Sequence, residues 1–135
     1  MRVLVDTCVW SAVLRYRNPD AELTSRLKEL INDGRVCLIG PIRQEILSGI
    51  PDHRQFNKLK DILSAFEDIV LKKEHFEKAA EFSNICRSRG IQGSTTDFLI
   101  CAAASLENLI IFTTDNDFEN YRKHLSLNII SWPPA

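Results

Sequence analysis

Short apolar runs that stop at polar or acidic residues alternate along this chain with stretches whose apolar residues recur every three or four positions. Arg2-Val3-Leu4-Val5 is a β-branched run ended by Asp6, and Val9 to Leu14 predicts a helix that stops near Arg15 to Arg17. Pro19 follows Asn18 as a first-turn proline follows an N-cap, and Leu23, Leu27, Leu30 and Ile31 keep helical spacing until Gly34. Val36 to Ile39 reads as a second strand. Pro41 opens a helix through Ile42, Ile46 and Leu47 that closes at Gly49, and Phe56, Leu59, Leu63 and Phe66 form the apolar stripe of another. Ile69-Val70-Leu71 is the third expected strand, and Phe76, Ala79, Ala80, Ser83 and Cys86 trace a helix to Gly90. Gly93-Ser94-Thr95-Thr96 then introduces a helix from Asp97 to Leu106 that is apolar all round, the pattern of a central, buried element. A strand over Leu109 to Phe112, a short helix over Asp117 to Lys123 and a strand over Leu127 to Ile130 complete the pattern.

Strands alternating with helices predict an α/β fold: a central parallel sheet of about five strands, helices on both faces and right-handed crossovers. No repeat, low-complexity tract or Pro/Gly/Ser-rich linker divides the sequence, so residues 1–135 are expected to form one unit.

The composition narrows the class. With 135 residues, 44% of them hydrophobic, the chain is long enough to bury a core without disulfides or a structural metal. Its longest apolar run, Phe98 to Ala104, falls far short of the roughly 20 residues that span a bilayer, and the first residues lack a signal-peptide apolar region. The expectation is a soluble cytoplasmic protein with no membrane partner. Cys8, Cys37, Cys86 and Cys101 are far apart, form no CxxC pair and sit in apolar stretches, which favours reduced, packed thiols over metal ligands.

In open parallel sheets, ligands bind beyond the carboxyl ends of the strands. Asp6 ends the first strand, and Asp115 follows Leu109 to Phe112 and Thr113-Thr114. Asp97 heads the buried helix, and Glu45 lies one turn into the helix that leaves Val36 to Ile39. Each acid also has a plain structural role open to it: N-cap for Asp6, first-turn acid for Asp97, exposed helical side chain for Glu45, turn former for Asp115. Together they suggest a site, because four converging carboxylates repel one another and a divalent cation relieves that repulsion. An all-oxygen set suits Mg²⁺ or Mn²⁺ rather than zinc, and such ions serve phosphodiester hydrolysis. Setting aside these four acids moves the formal balance from −1 to +3, which permits nucleic-acid binding without demanding it.

In this order and spacing, Val3-Leu4-Val5-Asp6-Thr7, Gln44-Glu45-Ile46-Leu47-Ser48-Gly49, Thr95-Thr96-Asp97 with the apolar run to Ala104, and Ile111-Phe112-Thr113-Thr114-Asp115-Asn116-Asp117-Phe118 resemble the PIN-domain ribonucleases. They resemble most closely the VapC-type toxins of toxin/antitoxin modules, over nearly the whole chain. The resemblance implies a PIN fold in which Asp6, Glu45, Asp97 and Asp115 form an acidic Mg²⁺ or Mn²⁺ site that cuts RNA. It also implies a cognate VapB-like antitoxin and a toxin homodimer. The family pattern gives the direct role to Asp115 and leaves Asp117 a secondary or N-capping one. The hydroxyls of Thr7 and Thr113 stand beside the expected ligands, where supporting hydrogen bonds and plain strand-end packing are equally open.

Other chemistries fit less well. A phosphoacceptor receiver domain needs adjacent acids after its first strand and a late lysine, and a haloacid-dehalogenase phosphatase needs Asp-x-Asp where Cys8 stands. No GxxxxGK[ST] or GxGxxG loop is present, and no serine has a nucleophile-elbow context. His53, His75 and His124 are widely separated among charged residues, so all three are expected at the surface and no histidine pair is available for metal-free RNA cleavage. The competing class is a non-catalytic PIN-like module that binds RNA or docks a protein. Arg15, Arg17, Arg87 and Arg89 are the candidate phosphate contacts, with simple solvation as the other reading.

Overall fold

The computed structural model describes residues 1–15 and 17–134. Along the chain these form β1 (Val3–Val5), α1 (Thr7–Leu14), α2 (Ala21–Asn32), β2 (Val36–Leu38), α3 (Gly40–Leu47), α4 (His53–Leu63), β3 (Glu67–Asp68), α5 (Lys73–Ser88), α6 (Thr95–Glu107), β4 (Ile110–Thr113), α7 (Asp117–Arg122) and β5 (Asn128–Ser131). The strands build one sheet in the order β3-β2-β1-β4-β5, every pair parallel, as the alternation of strand and helix patterns predicts.

Successive side chains of a strand point to opposite faces. Val3, Leu4 and Val5 are all 0% exposed, so both faces of the central strand are covered. α6 is buried from Phe98 through Ala104, in keeping with its uninterrupted apolar sequence, and ends where Asn108 turns left-handed at φ 56°. Because all strands run the same way, their carboxyl ends share one edge. There Asp6 N–H extends the β1–β4 ladder by donating to the Phe112 carbonyl at 2.9 Å.

The structure departs from the sequence pattern in several places. The third strand is Glu67–Asp68 rather than Ile69-Val70-Leu71: Cys37 and Leu38 pair with Glu67 and Asp68, while Val70 is 70% exposed. Arg43 explains the shift. Its guanidinium donates to Asp68 Oδ1 at 2.6 Å and to the Leu63 and Phe66 carbonyls, pinning this edge by polar contacts that outweigh β-propensity. The N-cap of α2 is Asp20, whose carboxylate accepts from the Glu22 and Leu23 amides, so Asn18-Pro19 lies ahead of the helix rather than at its cap. α4 ends at Leu63, and Phe66 instead packs its ring on Trp10 at 5.2 Å. Leu59 and Leu63 face the core, while Phe56 and Phe66 are half-buried.

His75 is the clearest correction among the titratable residues. Only 4% exposed, it accepts from the Lys72 amide through Nδ1 and meets Glu107 Oε1 through Nε2, both at 3.0 Å. It ties the head of α5 to the tail of α6, whereas His53 and His124 are exposed. The cysteines are free thiols, with Cys37, Cys86 and Cys101 buried and Cys8 half-buried. No helix among the described residues is long and apolar enough to cross a membrane.

Candidate metal centre

Parallel pairing of β1 with β4 sets Asp6 and Thr113 side by side although they are 107 residues apart. Asp6 is 6% exposed and its carboxylate is fixed on every side: Oδ1 accepts from the Thr7 amide at 2.8 Å, and Oδ2 accepts from the Thr113 hydroxyl at 2.8 Å and the Cys8 thiol at 3.2 Å. Burial pushes its pKa up, Thr113 and Cys8 pull it back by hydrogen bonding, and the nearby Asp97 raises it again. Thr113 also accepts the Asp115 amide at 2.9 Å, so one hydroxyl aligns two of the acids.

Glu45 arrives from α3 and is held by the Thr7 hydroxyl, which donates to Oε1 at 2.8 Å. Arg15, at the end of α1, holds the C-terminal end of the same helix, beside Glu45, by donating to the Ile46 carbonyl at 2.7 Å and the Ser48 carbonyl at 2.9 Å. All four arginines read as candidate phosphate contacts are exposed, and Arg15 in addition spends hydrogen bonds on the fold.

Asp97, Asp115 and Asp117 converge most closely, with one carboxylate oxygen from each lying within 4.8 Å of the others. Asp115 Oδ1 also accepts the Asp117 amide at 2.9 Å, which makes Asp115 the acid that caps the start of α7. The pKa of Asp97 is raised, chiefly by burial and further by the Asp115 and Asp117 charges, against hydrogen bonds from Tyr121 and Ser94. This concentration of negative charge, half-buried at Asp97 and Asp115 and exposed at Asp117, is what a hard divalent cation neutralises, and the carboxylate set fits Mg²⁺ or Mn²⁺.

The profile of the PIN domain matches residues 3–124. The chain belongs to the PIN domain family. No curated protein sequence matches this PIN domain. Solved structures do. A chain of FitAcB from Neisseria gonorrhoeae aligns at 20% identity and a TM-score of 0.78, covering 95% of this chain and 96% of that one. VapBC2 from Rickettsia felis, bound to a DNA fragment from its promoter, aligns at 18% and 0.80, over 98% and 99%. VapBC-5 from Mycobacterium tuberculosis, a member of a family of toxin-antitoxin systems, aligns at 16% and 0.66, over 97% and 99%. At these identities the likeness is one of fold.

The PIN fold thus gathers Asp6, Asp97 and Asp115 at one edge, brings Glu45 to it through Thr7, and adds Asp117 to the tightest cluster. Two contacts went unforeseen in the sequence. The thiol of Cys8 bonds Asp6, for which the interval of two residues was the only hint, and the hydroxyl of Tyr121 bonds Asp97 from 24 residues away with no local signal at all.

Proposed function

We propose that this PIN domain, as one unit over residues 1–135, is a metal-dependent endoribonuclease and the toxin of a VapBC-type pair. The observation that carries the reading is the convergence of the Asp97, Asp115 and Asp117 carboxylates beside the immobilised Asp6. Asp6, Glu45, Asp97 and Asp115 would hold Mg²⁺ or Mn²⁺, with Asp117 as a further carboxylate beside Asp97 and Asp115. When bound, that ion supplies positive charge for the phosphodiester and makes water acidic enough to attack phosphorus near neutral pH.

The protein's own part is positional. Thr113, Thr7 and Cys8 keep Asp6 from rotating, and Thr7 with Arg15 sets Glu45 against it. A groove of about 430 Å³ runs beside Glu45, lined by Thr7, Ser11, Arg15, Gln44, Ser48 and Thr96, whose hydroxyls, carboxamide and guanidinium suit the riboses, bases and phosphates of an RNA strand. His75 is locked between Lys72 and Glu107, and the other two histidines are exposed, which favours direct attack by water and products with 5′-phosphate and 3′-hydroxyl ends.

A VapB-like antitoxin, a toxin homodimer and a cytoplasmic location complete the proposal and rest on the family resemblance; the FitAcB and VapBC neighbours favour the antitoxin. A cationic side chain of that antitoxin would find the acidic cluster a ready partner. Cleavage of an RNA panel with Mn²⁺, abolished by chelator and by Asp97→Asn, together with growth arrest relieved by the neighbouring small open reading frame, is the expected result. RNA binding without metal-dependent cleavage in the purified protein would assign it to the non-catalytic class instead.

A further inference from the structure

Tyr121 lies on α7, is 0% exposed, and donates its hydroxyl to Asp97 Oδ2 at 2.6 Å. Its ring is clamped between Phe98 and Phe118, each with its centroid at 5.2 Å, the second edge-on. The phenol itself is closed to solvent, while Asp97 is half-buried. On the far side, Gly93 leaves the hydroxyl its space: a Cβ at that position would overlap the Tyr121 oxygen and come within 2.8 Å of Cζ and 3.0 Å of Phe98 Cε2. The Gly93 backbone is next to Ser94, the N-cap of α6, whose hydroxyl accepts the Asp97 amide at 3.0 Å. Asp97 is accordingly held twice, by Ser94 at its main chain and by Tyr121 at its carboxylate.

We infer that Tyr121 is a positioning residue for the metal centre, fixing the Asp97 carboxylate toward Asp115 and Asp117, and that Gly93 is glycine because the phenol needs the volume a methyl group would fill. The inference rests on the reading of these acids as metal ligands. α7 starts at the Asp115–Asp117 turn, so Tyr121 also ties the helix that carries one ligand to the carboxylate of another. Without the phenol, Asp97 keeps its backbone position but loses the contact that selects its side-chain rotamer. Partners that orient a ligand in this way are worth roughly 10- to 100-fold in metal affinity.

Mn²⁺ titrated into the metal-free protein, followed by calorimetry and by the signal of free Mn²⁺ in electron paramagnetic resonance, tests this without any nuclease assay. Tyr121→Phe retains the ring and its packing and is expected to weaken Mn²⁺ binding roughly 10-fold or more. Gly93→Ala is expected to weaken it in the parent, and by less in the Tyr121→Phe background, where the closest contact, with the phenol oxygen, is gone but those with the ring carbons remain. At saturating Mn²⁺, kcat on RNA should return close to the parental value in Tyr121→Phe, with the loss confined to the Mn²⁺ concentration needed. A purely structural role would lower the melting temperature of both variants and leave their Mn²⁺ affinity unchanged, and that result overturns the inference. If Tyr121→Phe fails to fold, Gly93→Ala carries the same decision. Parental binding that disappears in Asp97→Asn yet persists in Tyr121→Phe defeats the role of Tyr121 alone. A parent that binds no Mn²⁺, or binds it equally well as Asp97→Asn, defeats the metal centre and the inference together.

Discussion

Thr7 and Glu45, 38 residues apart, are joined side chain to side chain, the threonine hydroxyl donating to Glu45 Oε1 at 2.8 Å. Thr7 is also the first residue of α1, and its amide donates to Asp6. One residue thereby contacts the acid at the end of β1 through its main chain and the acid of α3 through its side chain. Thr7→Val keeps the shape and the amide contact but removes the hydroxyl. We expect Glu45 to lose its orientation and RNA cleavage at limiting Mn²⁺ to fall roughly 10-fold, with Thr7→Ser close to the parent. Equal activity of Thr7→Val and the parent across a Mn²⁺ titration would disprove this.

Asp97→Asn should not weaken the metal-free fold. Its carboxyl pKa is raised in the folded state by burial and by the neighbouring acids, so the folded protein holds that proton more tightly than the unfolded chain does. Stability of the metal-free parent therefore falls as pH rises from the ordinary Asp range through the raised folded value, and Asp6 acts in the same direction. Metal-free Asp97→Asn should melt at or above the parent at pH 7, with the difference shrinking as pH is lowered through that window. A variant that melts well below the parent at pH 7 contradicts the assignment of repulsion and desolvation at this site.

Arg15→Ala should cost about 1 kcal/mol in urea denaturation, because it strips the carbonyls at the end of α3 of a charged donor. The same substitution should also flatten the salt dependence of RNA binding, since the exposed guanidinium keeps its charge and lines the groove beside Glu45. An unchanged salt slope would leave Arg15 to the fold alone.

His75→Ala should cost about 2 kcal/mol, through loss of the buried cap on the Lys72 amide and of the contact with Glu107. The variant should bind Mn²⁺ and cleave RNA like the parent at a temperature where both are folded. A specific loss of cleavage there would mean that the histidine serves the chemistry after all.

The elements legible from the sequence are those whose burial is continuous. β1, β2 and α6 are covered on all sides, and their uninterrupted apolar runs say so. β3 does not lie on the apolar run because its position depends on a long-range contact, Arg43 with Asp68, while the more strand-like Val70 faces solvent. His75 misled for a related reason: its charged neighbours Lys72, Lys73 and Glu74 describe the exterior of α5, whereas the imidazole turns inward to cap the helix. For the candidate site, the sequence marks acids at the ends of apolar runs, and the structure places Asp6, Asp97 and Asp115 at a common edge. It does not mark Tyr121, whose bond to Asp97 exists only because α7 folds back beside α6, nor the tight approach of Asp117, which looks from its position like an ordinary helix-start acid.

The order of the sheet also has a bearing on when the protein can act during its own synthesis. β1 emerges from the ribosome first, yet its neighbour on one side is β4, which is made more than a hundred residues later. Until that strand docks, Asp6 lacks the Thr113 hydroxyl, and Asp115 and Asp117, which follow β4 in the chain, are not held beside it. On the proposed function, a fragment ending before β4 would lack Thr113, Asp115 and Asp117 and be inert, and the acidic cluster comes together only when β4 and α7 close onto β1.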